Sequence, residues 1–213
     1  MWEIHGWEDE TSGLGRTSVE WGEPVDEWGA RPWKIYGDGP EVVLYDLGTG
    51  CEVVGLLSRT CFSAMVVPWW YPARDLKRVA PAAIVIAGDG YEPSCWDQAL
   101  QAVRAFLGRC PVVGIGLGHV IVGMAIGARL AKLSRGHWGK GIKVKDLRTG
   151  ACLDTVQAHD VCLEAQSLVE IGAEITHVNQ EDGTVEGFAH QGRNVFGVQF
   201  FDEGCFRKML LPL

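Results

Sequence analysis

The chain has 213 residues, enough for one α/β domain of ordinary size with an extension, and its 47% hydrophobic content excludes general disorder. A formal net charge of −8, with no Lys/Arg cluster to offset it, argues against nucleic acid and anionic membrane surfaces as partners. Seven cysteines, an odd count without a C-x-x-C pair, read as reduced and mostly buried thiols in a cytoplasmic protein, with no metal ligand set and no cofactor expected.

Residues 1–40 stand apart. They hold Trp2, Trp7, Trp21, Trp28 and Trp33 among many acidic residues, with no sustained period of either kind. Glu3, Glu8, Asp9 and Glu10 sit where a secretion signal would need a basic start and an apolar core. Indoles are rare in disordered acidic tails, because each gains only by covering a surface. Residues 1–40 are therefore expected to be an arm or small subdomain, packed on the main domain or on a partner, a homodimer included. Residues 41–213 are expected to be the main domain.

From Glu41 onward the pattern becomes βα alternation. Val42 to Tyr45 predict a first strand, Cys51 to Leu57 a helix, and Ala64 to Val67 a second strand stopped by Pro68. Trp69-Trp70-Tyr71, between Pro68 and Pro72, has the composition of an interface. A short helix over Ala73 to Val79 follows, then a third strand over Ala83 to Ile86 and a loop from Ala87 to Pro93. Trp96 to Leu107 carries helical spacing of apolar positions. Strands alternating with helices of this length mean a mostly parallel sheet with right-handed crossovers.

The run from Pro111 to Ala125 organises the rest. It begins β-branched, turns on glycines and continues as an Ala/Gly-rich helical stretch. Gly-x-Nuc-x-Gly is the sequence form of a nucleophile elbow, in which one residue is pinched out above the sheet. Gly114 and Gly118 are in place, and the pinched-out residue is Gly116. Glycine accepts the strained, positive-φ elbow conformation freely but offers no atom to attack with. The same stretch is the longest apolar window, and its glycines and His119 make a membrane span the poorer reading.

After Lys132 the pattern shifts to short strands and turns: Ile142 to Lys145, Cys152 to Gln157, Glu174 to Val178, Thr184 to Ala189 and Val195 to Gln199. Asp182-Gly183 is a hairpin signal, and Glu203 to Leu211 predict a closing helix.

From about Val42 to Glu203 the chain resembles the class I glutamine amidotransferase domain, and most of all the one in the small subunit of carbamoyl phosphate synthetase. The family's G-I-C-L-G-H-Q elbow reads here as Gly114 to Val120, and its N-G-P-G-D-P oxyanion loop as Ala87 to Glu92. Its G-H-H-G-G and Q-N-H-G-F segments correspond to Gly136 to Lys140 and to Gln157 to Val161. The D-G-T-x-x-G hairpin is intact from Asp182 to Gly187, and F-x-x-Q-G-H-P-E reads as Phe196 to Glu203. The resemblance implies a three-layer α/β sandwich around a mainly parallel sheet, flavodoxin-like in its first half.

The departures from the family gather at the chemistry. Family members attack the glutamine carboxamide with a cysteine, use a histidine as base and acid, and orient it with a glutamate. Those positions fall on Gly116, Phe201 and Glu203, so only the glutamate is kept. Losing either of the other two members of such a unit typically costs on the order of 10⁶-fold in turnover. The substrate-holding positions of the family fall on Gly88, Asp89, Gly90, Leu117, Val120, Ala158, His159, Asp160 and Val161. Val120 and Ala158 replace a polar Gln and Asn, and Asp160 puts a negative charge where an α-carboxylate would lie. The family's small subunits also carry a large domain ahead of this one, so the chain is expected not to be a complete small subunit.

The function expected from this pattern is a catalytically inactive amidotransferase-like protein. It would work by protein contact, a synthetase-type subunit being one partner, or by binding a small ligand. The first alternative is an enzyme of altered chemistry built around His159, Asp160 and Glu203. A working glutaminase is the more distant one. His119 is expected to be a satisfied structural histidine. His137 and His159 are expected in loops near the old pocket. They could join Asp160, Cys162 and Glu203 in a metal or acid/base site, although no spacing demands it. Cys95 and Cys162 are the thiols nearest to the motifs, and neither lies on an elbow.

Overall fold

The computed structural model describes residues 18–21, 33–36, 39–48, 53–55, 57, 63–76, 80–88, 93–202, 204–205 and 209. They form one sheet of eleven strands in the order β1-β2-β4-β3-β5-β6-β11-β10-β9-β7-β8. Its centre is β4 (Ser63–Pro68), β3 (Glu41–Asp46), β5 (Ala83–Gly88), β6 (Val112–Gly116) and β11 (Val195–Val198), parallel throughout. Every residue of β5 and β6 is buried, so these strands read as continuous apolar runs and not as an alternation.

Successive residues of the central strands point to opposite faces. Val43, Tyr45, Ile84, Ile86 and Val112 pack on one side against Val103 and Phe106 of α2 (Pro93–Phe106) and Val120 and Ile121 of α3 (Leu117–Ala125). Val42, Leu44, Val85, Val113 and Ile115 pack on the other side with Val53 and Leu57, and Phe201 and Met209 lie against them. The result is the three-layer α/β sandwich that the resemblance implies. Helix α1 (Ala73–Leu76) buries Leu76 in the first of these cores. Among the described residues no helix is long and apolar enough to cross a membrane.

Two antiparallel additions flank the parallel centre. On one edge β1 (Ser18–Trp21) pairs with β2 (Trp33–Tyr36), which pairs with β4. These are the described pieces of the Trp-rich arm, the rest of which lies outside the described residues. Four-residue strands are too short for an alternation to register in the sequence.

On the other edge β10 (Val185–His190), β9 (Glu174–Asn179), β7 (Leu130–Asp146) and β8 (Cys152–Leu163) extend the sheet from β11. Here the expectation of short strands is corrected. β7 runs 17 residues and β8 runs 12, pairing as one long hairpin. The pairing register shifts between Lys132 and His137 and again between Lys140 and Ile142. Each shift interrupts the in–out alternation, so a period-2 search loses the strand at both places. Gly139 and Gly141, at φ 109° and 80°, supply the backbone the second irregularity needs. The β9–β10 turn is the expected Asp182-Gly183 hairpin, with Asp182 Oδ1 accepting from the Thr184 N–H at 3.0 Å. Helix α4 (Ala165–Glu170), six residues long, has no sequence expectation because so short a helix shows no period.

Candidate active site

The elbow is built as the glycines predict. Strand β6 ends and α3 begins at Gly116, whose φ of 61° and ψ of −126° lie where L side chains are strained by roughly 1–3 kcal/mol. A Cβ on Gly114 would collide with the Gly118 carbonyl, and one on Gly118 would collide with the Ile86 carbonyl of β5. Strand, turn and helix therefore interlock through two missing side chains. Gly88 is the register partner of Gly116 across β5 and β6, and at φ 140° its own Cβ would fall 2.6 Å from the Leu47 carbonyl carbon. The mount for a nucleophile thus faces the start of the family's oxyanion loop, and no side-chain atom projects from it. Asp89 and Gly90 lie outside the described residues.

Phe201 is half-buried against the core that contains Val113 and Ile115, the strand residues leading into Gly116. Its ring has no proton to exchange. Glu203 lies outside the described residues.

The remaining pocket positions scatter. Leu117 is half-buried at the start of α3 and Val161 is half-buried near the end of β8, both against the first core, whereas Val120 is fully buried within it. Ala158 is exposed on β8 opposite Trp138, while His159, the next residue, is 5% exposed on the inner face. Asp160 follows, half-buried, and its charge opposes the downward push of burial on the His159 pKa. Burial pushes the Cys162 thiol up to about 11, where it is inert. The Cys95 side chain is outside the described residues.

Two histidine expectations are corrected. His119 is fully buried, its ring 5.1 Å from that of Phe188, and neither ring nitrogen makes a hydrogen bond of ordinary geometry, although the Gly197 backbone lies close by. It is a structural histidine but not a satisfied one. Burial, reinforced by His159 and His177, drops its pKa to about 3, so it is neutral. His137 and His159 are not in loops. They are direct register partners on β7 and β8, with ring centroids 4.9 Å apart.

The partner the strands bring to these two rings is Glu186. It sits in β10 where the pairing with β9 shifts register, and it is fully buried. His137 Nδ1 lies 3.0 Å from Glu186 Oε1, and His159 Nε2 lies 3.8 Å from Glu186 Oε2. Gln157 donates to Glu186 Oε2 at 3.0 Å, a contact between β8 and β10, which two strands separate in the sheet order. Burial raises the Glu186 pKa to about 7 against the opposing pull of His137. One signal for this residue exists in the sequence: a lone acid in the otherwise apolar run Val185-Glu186-Gly187-Phe188-Ala189. An ionisable group in so buried a strand needs partners.

The fold and the elbow define a class, and comparison with known proteins agrees. The glutamine amidotransferase class-I family model matches residues 50–204, and the chain belongs to that family. Within it the chain is similar to carbamoyl phosphate synthase small chains. That of Solidesulfovibrio magneticus is 34% identical over 189 residues, covering 89% of this chain and 49% of the relative. That of Nitratidesulfovibrio vulgaris Hildenborough is 37% identical over 167 residues, covering 78% and 44%. The chain thus spans about half the length of the curated relatives it matches. Among solved structures, a putative GMP synthase subunit from Thermoplasma acidophilum superposes with a TM-score of 0.70 at 16% identity, covering 80% of this chain and 92% of that one. A glutamine amidotransferase from Thermotoga maritima gives 0.59 at 16% identity, covering 81% of each. At that identity the likeness is one of fold.

Proposed function

We propose that this chain is an amidotransferase-like protein of the cytoplasm that does not hydrolyse glutamine and acts by contact with a synthetase-type subunit. The observation that carries this reading is the elbow: its geometry is kept, and the residue on it is Gly116 at φ 61°. Phe201 at the position of the base supports it. Contact is favoured by the outer face of the β7–β8 hairpin, where Trp138 is 61% and Val156 is 59% exposed. Register places Trp138 opposite Ala158 and Lys140 opposite Val156, so the two apolar side chains and Ala158 share one surface. The similarity to small chains, named as parts of a two-chain enzyme, suggests what meets that surface.

Gel filtration of this protein mixed with a carbamoyl phosphate synthase large chain is the test. Co-elution is expected, with loss of at least tenfold in affinity in a Trp138→Ser, Val156→Ser variant. Separate elution of the wild-type chains at micromolar concentration would contradict the partner.

A displaced thiol is the second reading. Cys205 Sγ lies 3.7 Å from His177 Nε2, and the His177 Nδ1 is 2.9 Å from Thr176 Oγ1. That is a nucleophile beside a base, although not on the elbow.

A further inference from the structure

The cluster of His137, His159 and Glu186 has more hydrogen-bond acceptors than protons to serve them. His137 meets Asp182 Oδ2 with Nε2 at 3.0 Å and Glu186 Oε1 with Nδ1 at 3.0 Å. His159 meets the Val161 carbonyl with Nδ1 at 2.9 Å and Gln157 Oε1 with Nε2 at 3.0 Å. A neutral imidazole has one N–H, so four such contacts need both rings doubly protonated. With His159 as a neutral imidazole, one of its nitrogens faces an oxygen lone pair with no proton between them. Turning the Gln157 amide over cures that contact and moves the conflict to Glu186 Oε2, which then meets the amide oxygen.

We propose that His137 Nδ1, His159 Nε2 and a carboxylate oxygen of Glu186 bind a divalent first-row transition metal, zinc being the type. One ligand atom from each of the three residues lies within 4.8 Å of the others, and His137 Nδ1 is 3.0 Å from Glu186 Oε1 while His159 Nε2 is 3.8 Å from Glu186 Oε2. Tetrahedral zinc with bonds of about 2.1 Å places its ligands about 3.4 Å apart. With these atoms on the metal, each ring keeps its remaining N–H for an outer acceptor: His137 Nε2 for Asp182 and His159 Nδ1 for Val161. That outer shell fixes tautomer and ring orientation, as it does for metal-bound histidines in general. Gln157 Oε1 or a water completes the set. Two imidazoles and one carboxylate suit zinc, and not calcium or magnesium, which take oxygen. The backbone is shaped for the site as well. The β9–β10 register breaks at Glu186 and the β7–β8 register breaks just before His137, the device by which a bulge re-aims a side chain. A bound ion would pin β7, β8 and β10 together.

The test uses the full chain, stripped with chelator and dialysed against Zn²⁺ alone. One zinc per chain is expected, with a rise in melting temperature that Mg²⁺ does not give. Substitution with Co²⁺ should give visible bands without a thiolate charge-transfer band. Glu186→Gln and His137→Gln, checked for folding by circular dichroism, should each weaken binding at least tenfold. Asp182 is 38% exposed on a turn, so Asp182→Asn spares the core and should weaken zinc by roughly 10–100-fold through lost orientation of His137. No retained zinc, retention by His137→Gln and Asp182→Asn equal to that of the wild type, or a thiolate band assigning the metal to cysteine would each overturn the proposal. In the first case a proton on Glu186 fills the cluster.

Discussion

A variant carrying Gly116→Cys with Phe201→His is expected to alkylate with iodoacetamide along a pH curve centred at or below about pH 7. The Gly116→Cys variant alone should follow the curve of an ordinary thiol, centred near 8.5. The elbow conformation is already in place, so the introduced side chain projects where a nucleophile would, at a strain of roughly 1–3 kcal/mol shared by both variants. In the single variant its neighbour is a phenyl ring, and nothing lowers the thiol pKa or carries its proton. The imidazole of the double variant supplies both, and Glu203 is the carboxylate the family alignment offers to orient it.

At pH 6 the thiolate fraction should rise about thirtyfold. The lower intrinsic nucleophilicity of a more acidic thiol takes back about fivefold of this, leaving a rate gain of several-fold. Identical pH curves for the two variants would mean that Phe201 does not face the elbow. Glutamine turnover should stay close to the blank even in the double variant. Val120 is spent in the core, Ala158 is exposed and apolar, and neither holds an amino acid's charged ends.

The second large effect concerns His119→Leu. Relative to wild type, this variant should be about 2 kcal/mol more stable at pH 5 than the same comparison gives at pH 7.5. The folded pKa of about 3 lies below the ordinary value of 6.5. As pH falls through 6.5 the unfolded chain takes up a proton that the folded chain refuses, so stability is present above 6.5 and is lost progressively down to about 3. Leucine removes that loss. It also removes two buried nitrogens without regular partners from beside Phe188, so no penalty is expected at neutral pH. For a chain of this size the difference is roughly 4–8 °C in Tm at pH 5. A variant-minus-wild-type difference that is the same at both pH values would show that His119 titrates alike in the folded and unfolded chains.

How much of this was legible in the sequence follows from physics at particular residues. The central strands and the elbow could be read because their signals are local: β-branched runs in β3, β5 and β6, and glycines whose hydrogens the packing requires at Gly114 and Gly118. The length of β7 could not, because two register breaks interrupt its alternation. The histidine pair was half visible. His137 and His159 stand in recognisable segments, but they meet only because β7 and β8 pair two residues 22 apart in sequence in one register, and Glu186 joins them from a third strand at a break in its own pairing. His119 misled for a different reason: a sequence shows that a histidine is on an apolar helix, not whether its nitrogens find partners.

The central claim is that the elbow is kept and the chemistry is gone, and ammonia release from glutamine tests it most directly. Purified wild-type protein, alone and with a carbamoyl phosphate synthase large chain freed of its own glutaminase partner, should release ammonia at the rate of a protein-free blank. Release above that blank that survives repurification, and that is abolished by replacing Cys95, Cys162 or Cys205 with serine, would show a working nucleophile away from Gly116 and contradict the account.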